Sequence, residues 1–209
     1  KNNLTYGPII GGQVRETQYF SKDETAITLG LTDNENTVLV WDYSFDLEIT
    51  IRIGKKLNLE LIMNNRADED VTLSAAFHSY YCVQDLSDIA ICGLEGCAYI
   101  DKVNNFAKKT QDGLLTITRE TDRIYLDTKS DCVIEDPGSN RKIRIEKSGS
   151  NSTVVWNPWT QKARQMKDLG DSDYDRFVCV ETTNAGTDLI TLAPGEQHKL
   201  ELKITVQNP

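Results

Sequence analysis

Two short runs each set a group that can move protons among strand-forming neighbours. In Val178-Cys179-Val180-Glu181-Thr182 a carboxylate follows directly on apolar residues, and in Ala76-Phe77-His78-Ser79-Tyr80 an imidazole sits inside a strand-like stretch. Charge is costly to bury, so a sequence that does this twice is building a site. The chemistry these types suit is general acid–base catalysis, with imidazole the side chain best matched to proton transfer near neutral pH. The chain has only two histidines. The other, His198, lies in the polar run Gly195-Glu196-Gln197-His198-Lys199 and reads as an exposed turn. Residue types alone leave His78 either catalytic or structural, and Glu181 either a base or an edge carboxylate paired with a cation.

Further candidates lie near these two. Strict alternation puts Ala76, His78 and Tyr80 on one face of a strand, opposite Phe77 and Ser79. Small and hydroxylated groups beside aromatic rings suit a sugar, although a tyrosine-rich sheet surface would look the same. Val154-Val155-Trp156-Asn157-Pro158-Trp159 carries two of the three tryptophans, as a core strand ending in a turn or as an aromatic wall. Asp101 stands between Ile100 and Lys102, and without other information it reads as an exposed loop charge.

The elements that must position these residues are short strands. Phe45–Ile53 reads F-D-L-E-I-T-I-R-I, with an apolar residue at every second place. Similar runs occur at 24–31, 57–63, 71–83, 114–118, 123–126, 142–146, 153–156, 177–181 and 199–206, and turn formers such as Asp136-Pro137-Gly138-Ser139 and Ala193-Pro194-Gly195-Glu196 separate them. Only 160–169 suits a helical turn or two. The pattern predicts an all-β, antiparallel sandwich in a single domain spanning 1–209. At 209 residues the chain can bury roughly 70% of its unfolded surface, so its core needs neither disulfide nor metal.

Charge narrows the partners. Lys and Arg number 23 against 32 Asp and Glu, a formal charge of -9, which argues against nucleic acid or an anionic membrane. An anionic substrate would need a local cluster of cations. The five cysteines are odd in number and show no paired C-x-x-C spacing, so no metal site and no disulfide framework is expected, and a cytoplasmic setting fits best. No apolar run approaches membrane-spanning length.

Taken in order, Ala75-Ala76-Phe77-His78-Ser79-Tyr80-Tyr81, Gly93-Leu94-Glu95-Gly96-Cys97-Ala98-Tyr99-Ile100-Asp101-Lys102, the Trp156 run and Val178-Cys179-Val180-Glu181 resemble the glucose-6-phosphate 1-epimerase branch of the aldose-1-epimerase superfamily. Weaker echoes are Trp41–Phe45, Asp122-Arg123-Ile124-Tyr125-Leu126 and Leu192-Ala193-Pro194-Gly195-Glu196. The resemblance implies a galactose-mutarotase-like β-supersandwich that interconverts the α and β anomers of a hexose 6-phosphate. It implies Glu181 as base, His78 as acid and Asp101 as a ligand for sugar hydroxyls, with no metal or nucleotide cofactor; a monomer is expected. Towards the N-terminus only Gly12-Gln13-Val14-Arg15 can be laid on a family motif that helps bind phosphate. Ile10 and Gly11 then fill its Gln and His positions, Arg15 becomes the surviving phosphate ligand, and an N-terminally incomplete chain is expected. Alternatives are a mutarotase for unphosphorylated sugars and a non-catalytic carbohydrate-binding domain.

Overall fold

A computed structural model describes residues 13–21 and 24–208, with side chains described from 24 onward. The chain divides into two compact units. One takes in the chain up to Leu73 together with Thr191–Lys199, and the other takes in Ser74–Ile190 with the chain from Leu200.

The first unit is an antiparallel meander of β1 (Gln13–Ser21), β2 (Glu24–Thr32), β3 (Phe45–Ile53) and β4 (Leu57–Asn65). The alternating run at 45–53 forms β3 with the bounds that its pattern predicts. Between β2 and β3 the chain makes a one-turn helix, α1 (Glu35–Val38), that hydrophobic periodicity does not announce. Asn34 starts it by accepting from the Asn36 and Thr37 N–H groups, while Thr37 reaches back to the Asn34 N–H. A short β5 (Val71–Leu73) follows.

The second unit carries the site. Its strands are β6 (Ala75–Phe77), β7 (Tyr80–Cys82), β8 (Ala90–Cys92), β9 (Ala98–Asp101), β10 (Ala107–Thr110), β11 (Thr121–Tyr125), β12 (Cys132–Asp136), β13 (Arg141–Ser148), β14 (Ser152–Asn157) and β15 (Phe177–Asn184). After β16 (Ile190–Leu192), β17 (Gln197–Gln207) enters this unit at Leu200. One antiparallel sheet runs β10-β9-β11-β14-β15, with β6 and β7 both paired to β15, and a second places β17, β13, β12 and β8 side by side.

Apolar faces of both sheets are fully buried, Val155, Val178 and Tyr125 on the first and Ile134, Ile145 and Leu202 on the second. Alternation along each strand sends these residues inward, and their removal from water stabilises the fold. Lys147 of β13 shares the inward face with Ile143 and Ile145. It satisfies its ammonium on Ser150 Oγ, the Ser152 carbonyl and Thr153 Oγ1, while burial pulls its pKa down to about 8.

The run at 71–83 is not one strand but three, broken at Ser74 and again at His78 and Ser79. The expected strand at 114–118 is instead a loop joined to β8 by a single bridge, Ile91 to Leu115. Gly113 precedes it with φ +59°, and Leu115 and Ile117 pack as buried loop residues. The helical prediction at 160–169 holds only as α2 (Trp159–Ala163). No helix among the described residues is long and apolar enough to cross a membrane.

Candidate functional site

His78 and Glu181 are cross-strand partners at a gap in the ladder. β6 pairs with β15 through Phe77 and Thr182, and β7 resumes at Tyr80 and Cys179. The register carries through, so His78 falls opposite Glu181 and Ser79 opposite Val180. Between them the backbone leaves the ladder, because the Ser79 N–H turns back to donate to the Phe77 carbonyl at 2.9 Å. That turn keeps His78 on the face of Glu181. Its Nε2 lies 3.3 Å from Glu181 Oε1. The Glu181 side chain is 7% exposed and that of His78 48%, so the carboxylate forms the floor of the site and the imidazole its lip.

Directly opposed residues of antiparallel strands share a face, which fixes what else faces this pair. From Tyr80 the row runs through Cys179 and Trp156 to Asp122, and from Glu181 it runs through Val154 and Ile124 to Ile100. Rings frame the imidazole, with Tyr80 stacked on it at 5.0 Å and Trp156 edge-on at 5.8 Å. Phe177 lies 5.3 Å from Tyr80 and 5.9 Å from Trp156. An apolar wall with a few convergent polar groups is the usual make-up of a small-molecule site.

The electrostatics follow from this placement. Desolvation, reinforced by repulsion from Asp122 and eased by Lys102, pushes the Glu181 carboxyl up to about 7. Partial burial holds His78 below its ordinary 6.5, and the Asp122 charge works in the opposite sense. Glu181 and His78 are in contact, so their protonation is coupled, and the proton that leaves near pH 7 belongs to the pair. The Lys102 ammonium lies 2.9 Å from Asp122 Oδ2.

Asp101 is not on this face. Its Cα pairs with Arg123, which pairs in turn with Val155 and so with Val180, the row of the opposite face. Asp101 and Lys102 are adjacent, so only one of them can look toward Glu181, and the register selects Lys102. The resemblance makes Asp101 a ligand for sugar hydroxyls, but the register turns it away from the acid–base pair, and the carboxylate that faces the pair is Asp122. Its signal was present in Thr121-Asp122-Arg123-Ile124-Tyr125, where alternation puts Asp122 with Ile124 and Arg123 with Tyr125. Arg15 falls in β1 where the register shifts between Val14 and Glu16, and its side chain lies outside the described residues, as do Ile10 and Gly11.

The same floor also contains Cys179. One donor atom each of His78, Cys179 and Glu181 lies within 4.8 Å of the others, close enough for three metal ligands. Burial pushes the Cys179 thiol up, so it stays protonated and packs as a small apolar residue, and we assign no metal to these groups.

Known proteins resemble the chain over most of its length. The aldose 1-epimerase family profile matches residues 13–205. A candidate glucose-6-phosphate 1-epimerase from Cenchrus ciliaris is 32% identical over 176 residues, covering 82% of this chain and 53% of its own length. Its counterpart from Escherichia coli K12 is 34% identical over 164 residues, covering 78% and 54%. Among solved structures, a candidate mutarotase from Salmonella typhimurium superposes with a TM-score of 0.87 at 29% identity, over 95% of this chain and 65% of the other. The chain thus spans about half the length of the curated relatives it matches. The sandwich is galactose-mutarotase-like, and the chain belongs to the aldose 1-epimerase family.

Proposed function

We propose that this chain carries the acid–base face of an enzyme that interconverts the α and β anomers of a hexose, with a hexose 6-phosphate as the substrate. The observation that carries the reading is the contact of Glu181 and His78 on a partly open, aromatic-framed face. Ring opening moves two protons on one carbon: the anomeric hydroxyl must lose one and the ring oxygen must gain one. Both oxygens are bonded to C1, so one base and one acid within reach of that carbon suffice, and this pair offers both. The carboxylate of Glu181 takes the hydroxyl proton and the imidazolium of His78 protonates the ring oxygen. The C1–O bond of the ring breaks toward that oxygen as the C1 carbonyl forms. Rotation about C1–C2 and the reverse transfers close the other anomer, returning both protons. Asp122, held by Lys102, is the group we assign to the sugar hydroxyls. The phosphate assignment rests on likeness to relatives that carry the glucose-6-phosphate 1-epimerase name.

The test is anomer exchange of glucose 6-phosphate and of free glucose, followed by two-dimensional exchange NMR. Faster exchange of the phosphate supports the reading, and no acceleration of any hexose or its phosphate overturns it. The pair is active only with one proton, as carboxylate and imidazolium, so the rate should form a bell whose upper limb falls near pH 7, where the last proton leaves. Asp122 raises both groups. Asp122→Asn should therefore move the whole bell to lower pH, whereas Asp101→Asn should leave it in place.

A further inference from the structure

The opposite face of the same sheet holds a second group of charges that the ring-opening reaction does not use. A cavity of about 330 Å³ is lined there by Asp101, Asn104, Lys109, Arg119, Glu120 and Arg123, among others. Both of its carboxylates are already answered. Asp101 Oδ2 accepts from Lys109 Nζ at 2.7 Å and its Oδ1 from the Asn104 N–H at 3.1 Å. Burial alone would raise this carboxyl, but these bonds and the charges of Lys109 and Arg123 hold it below the ordinary range. Glu120 is paired with Lys162 at 3.1 Å. Neither guanidinium is so paired. Arg123 is fixed by its neighbours, its Nη1 donating to Gln111 Oε1 at 3.0 Å while the guanidinium lies 4.7 Å from the centre of the Tyr99 ring. Arg119 has no carboxylate within ion-pair distance among the described residues.

We propose that this cavity is an anion site, separate from the acid–base pair, that takes a phosphate group through Arg119 and Arg123. Two guanidiniums with no ion pair among the described residues stand in one concavity, beside carboxylates that Lys109 and Lys162 already neutralise, and on a chain of formal charge -9 they mark a place where an anion gains. A guanidinium already held by a ring face and an amide gives up little freedom on binding, and its remaining N–H donors match phosphate oxygens in pairs. The site is built entirely within one unit and does not depend on the proposed reaction.

Titration calorimetry with inorganic phosphate tests it. Saturable binding is expected, weakened at least tenfold by Arg119→Ala and by Arg123→Gln and unchanged by Glu181→Gln. Arg119 is exposed, so its removal leaves the fold intact, and Arg123→Lys, which keeps the charge and loses the fork, should fall between parent and Arg123→Gln. Methyl phosphate that binds as well as inorganic phosphate assigns the cavity to phosphate monoesters, and a clear preference for inorganic phosphate assigns it to the free ion. Absence of saturable binding, or affinity unchanged in both arginine variants, would overturn the proposal.

Discussion

Glu181→Gln and His78→Asn are each expected to slow anomer exchange by about 10²-fold or more, the scale of losing a positioned general base or acid. Glutamine is isosteric with glutamate, and asparagine keeps a polar amide near the place of the imidazole Nδ1 although it is smaller than the ring, so the protons lose their carriers with little change to the cleft. A glutamine carbonyl cannot take the anomeric proton, and an asparagine amide cannot deliver one to the ring oxygen. The two groups act on one carbon in one step, so the double variant should be little slower than either single one. Exchange NMR gives the rates, and calorimetry on the same proteins should show the sugar phosphate still bound with nearly parental affinity. Rates that stay parental in both single variants would sink the acid–base reading and leave a carbohydrate-binding domain in its place. A loss in one variant alone would show that the surviving group is not part of the reaction.

How far this site could be read without coordinates depends on the kind of information each residue required. The alternation of 76–80 places His78 with Ala76 and Tyr80, and the register of β6 and β7 on β15 puts those three on one face. The run at 45–53 was legible because period-two patterning is a local property of half-buried strands, and that at 177–181 because a short unbroken apolar run suits a strand buried on both faces. The gap at His78 was not legible, since the Ser79 N–H that turns back to Phe77 leaves no compositional trace. Asp101 shows the other limit. One residue of register decides which of two neighbours faces a cleft, and register is set by pairing with β11, about twenty residues further along. Asp122 lies in the Asp122-Arg123-Ile124-Tyr125-Leu126 run, whose pattern by itself gives it no role. Strands β8, β9 and β12 are only three to five residues long, too short for alternation to stand out from chance. The loop at 114–118 fails for the converse reason: its pattern suits a strand, but only one residue finds a partner.

The second large effect concerns stability, and its sign is opposite to that on catalysis. Glu181 is almost fully buried on the floor of the site, with its pKa raised from 4.5 to about 7, chiefly by desolvation. Between those two values the folded protein holds a proton that the unfolded chain releases, so stability declines as pH rises through this window and levels off above about 7. A rise of this size corresponds to about 3 kcal/mol at neutral to alkaline pH. Glutamine is neutral at every pH and escapes the cost. Glu181→Gln should thus match the parent in stability near pH 4 and exceed it by about 3 kcal/mol above pH 7, roughly 6–12 °C in Tm for a chain of this size. Thermal unfolding of both proteins from pH 4 to pH 9 measures the difference. A gap that opens between pH 4.5 and 7 and then stays constant is the expected signature. A gap independent of pH, or a variant less stable than the parent at pH 8, would show that the folded state carries the Glu181 charge at no cost. The carboxylate would then lack the raised basicity that its role requires.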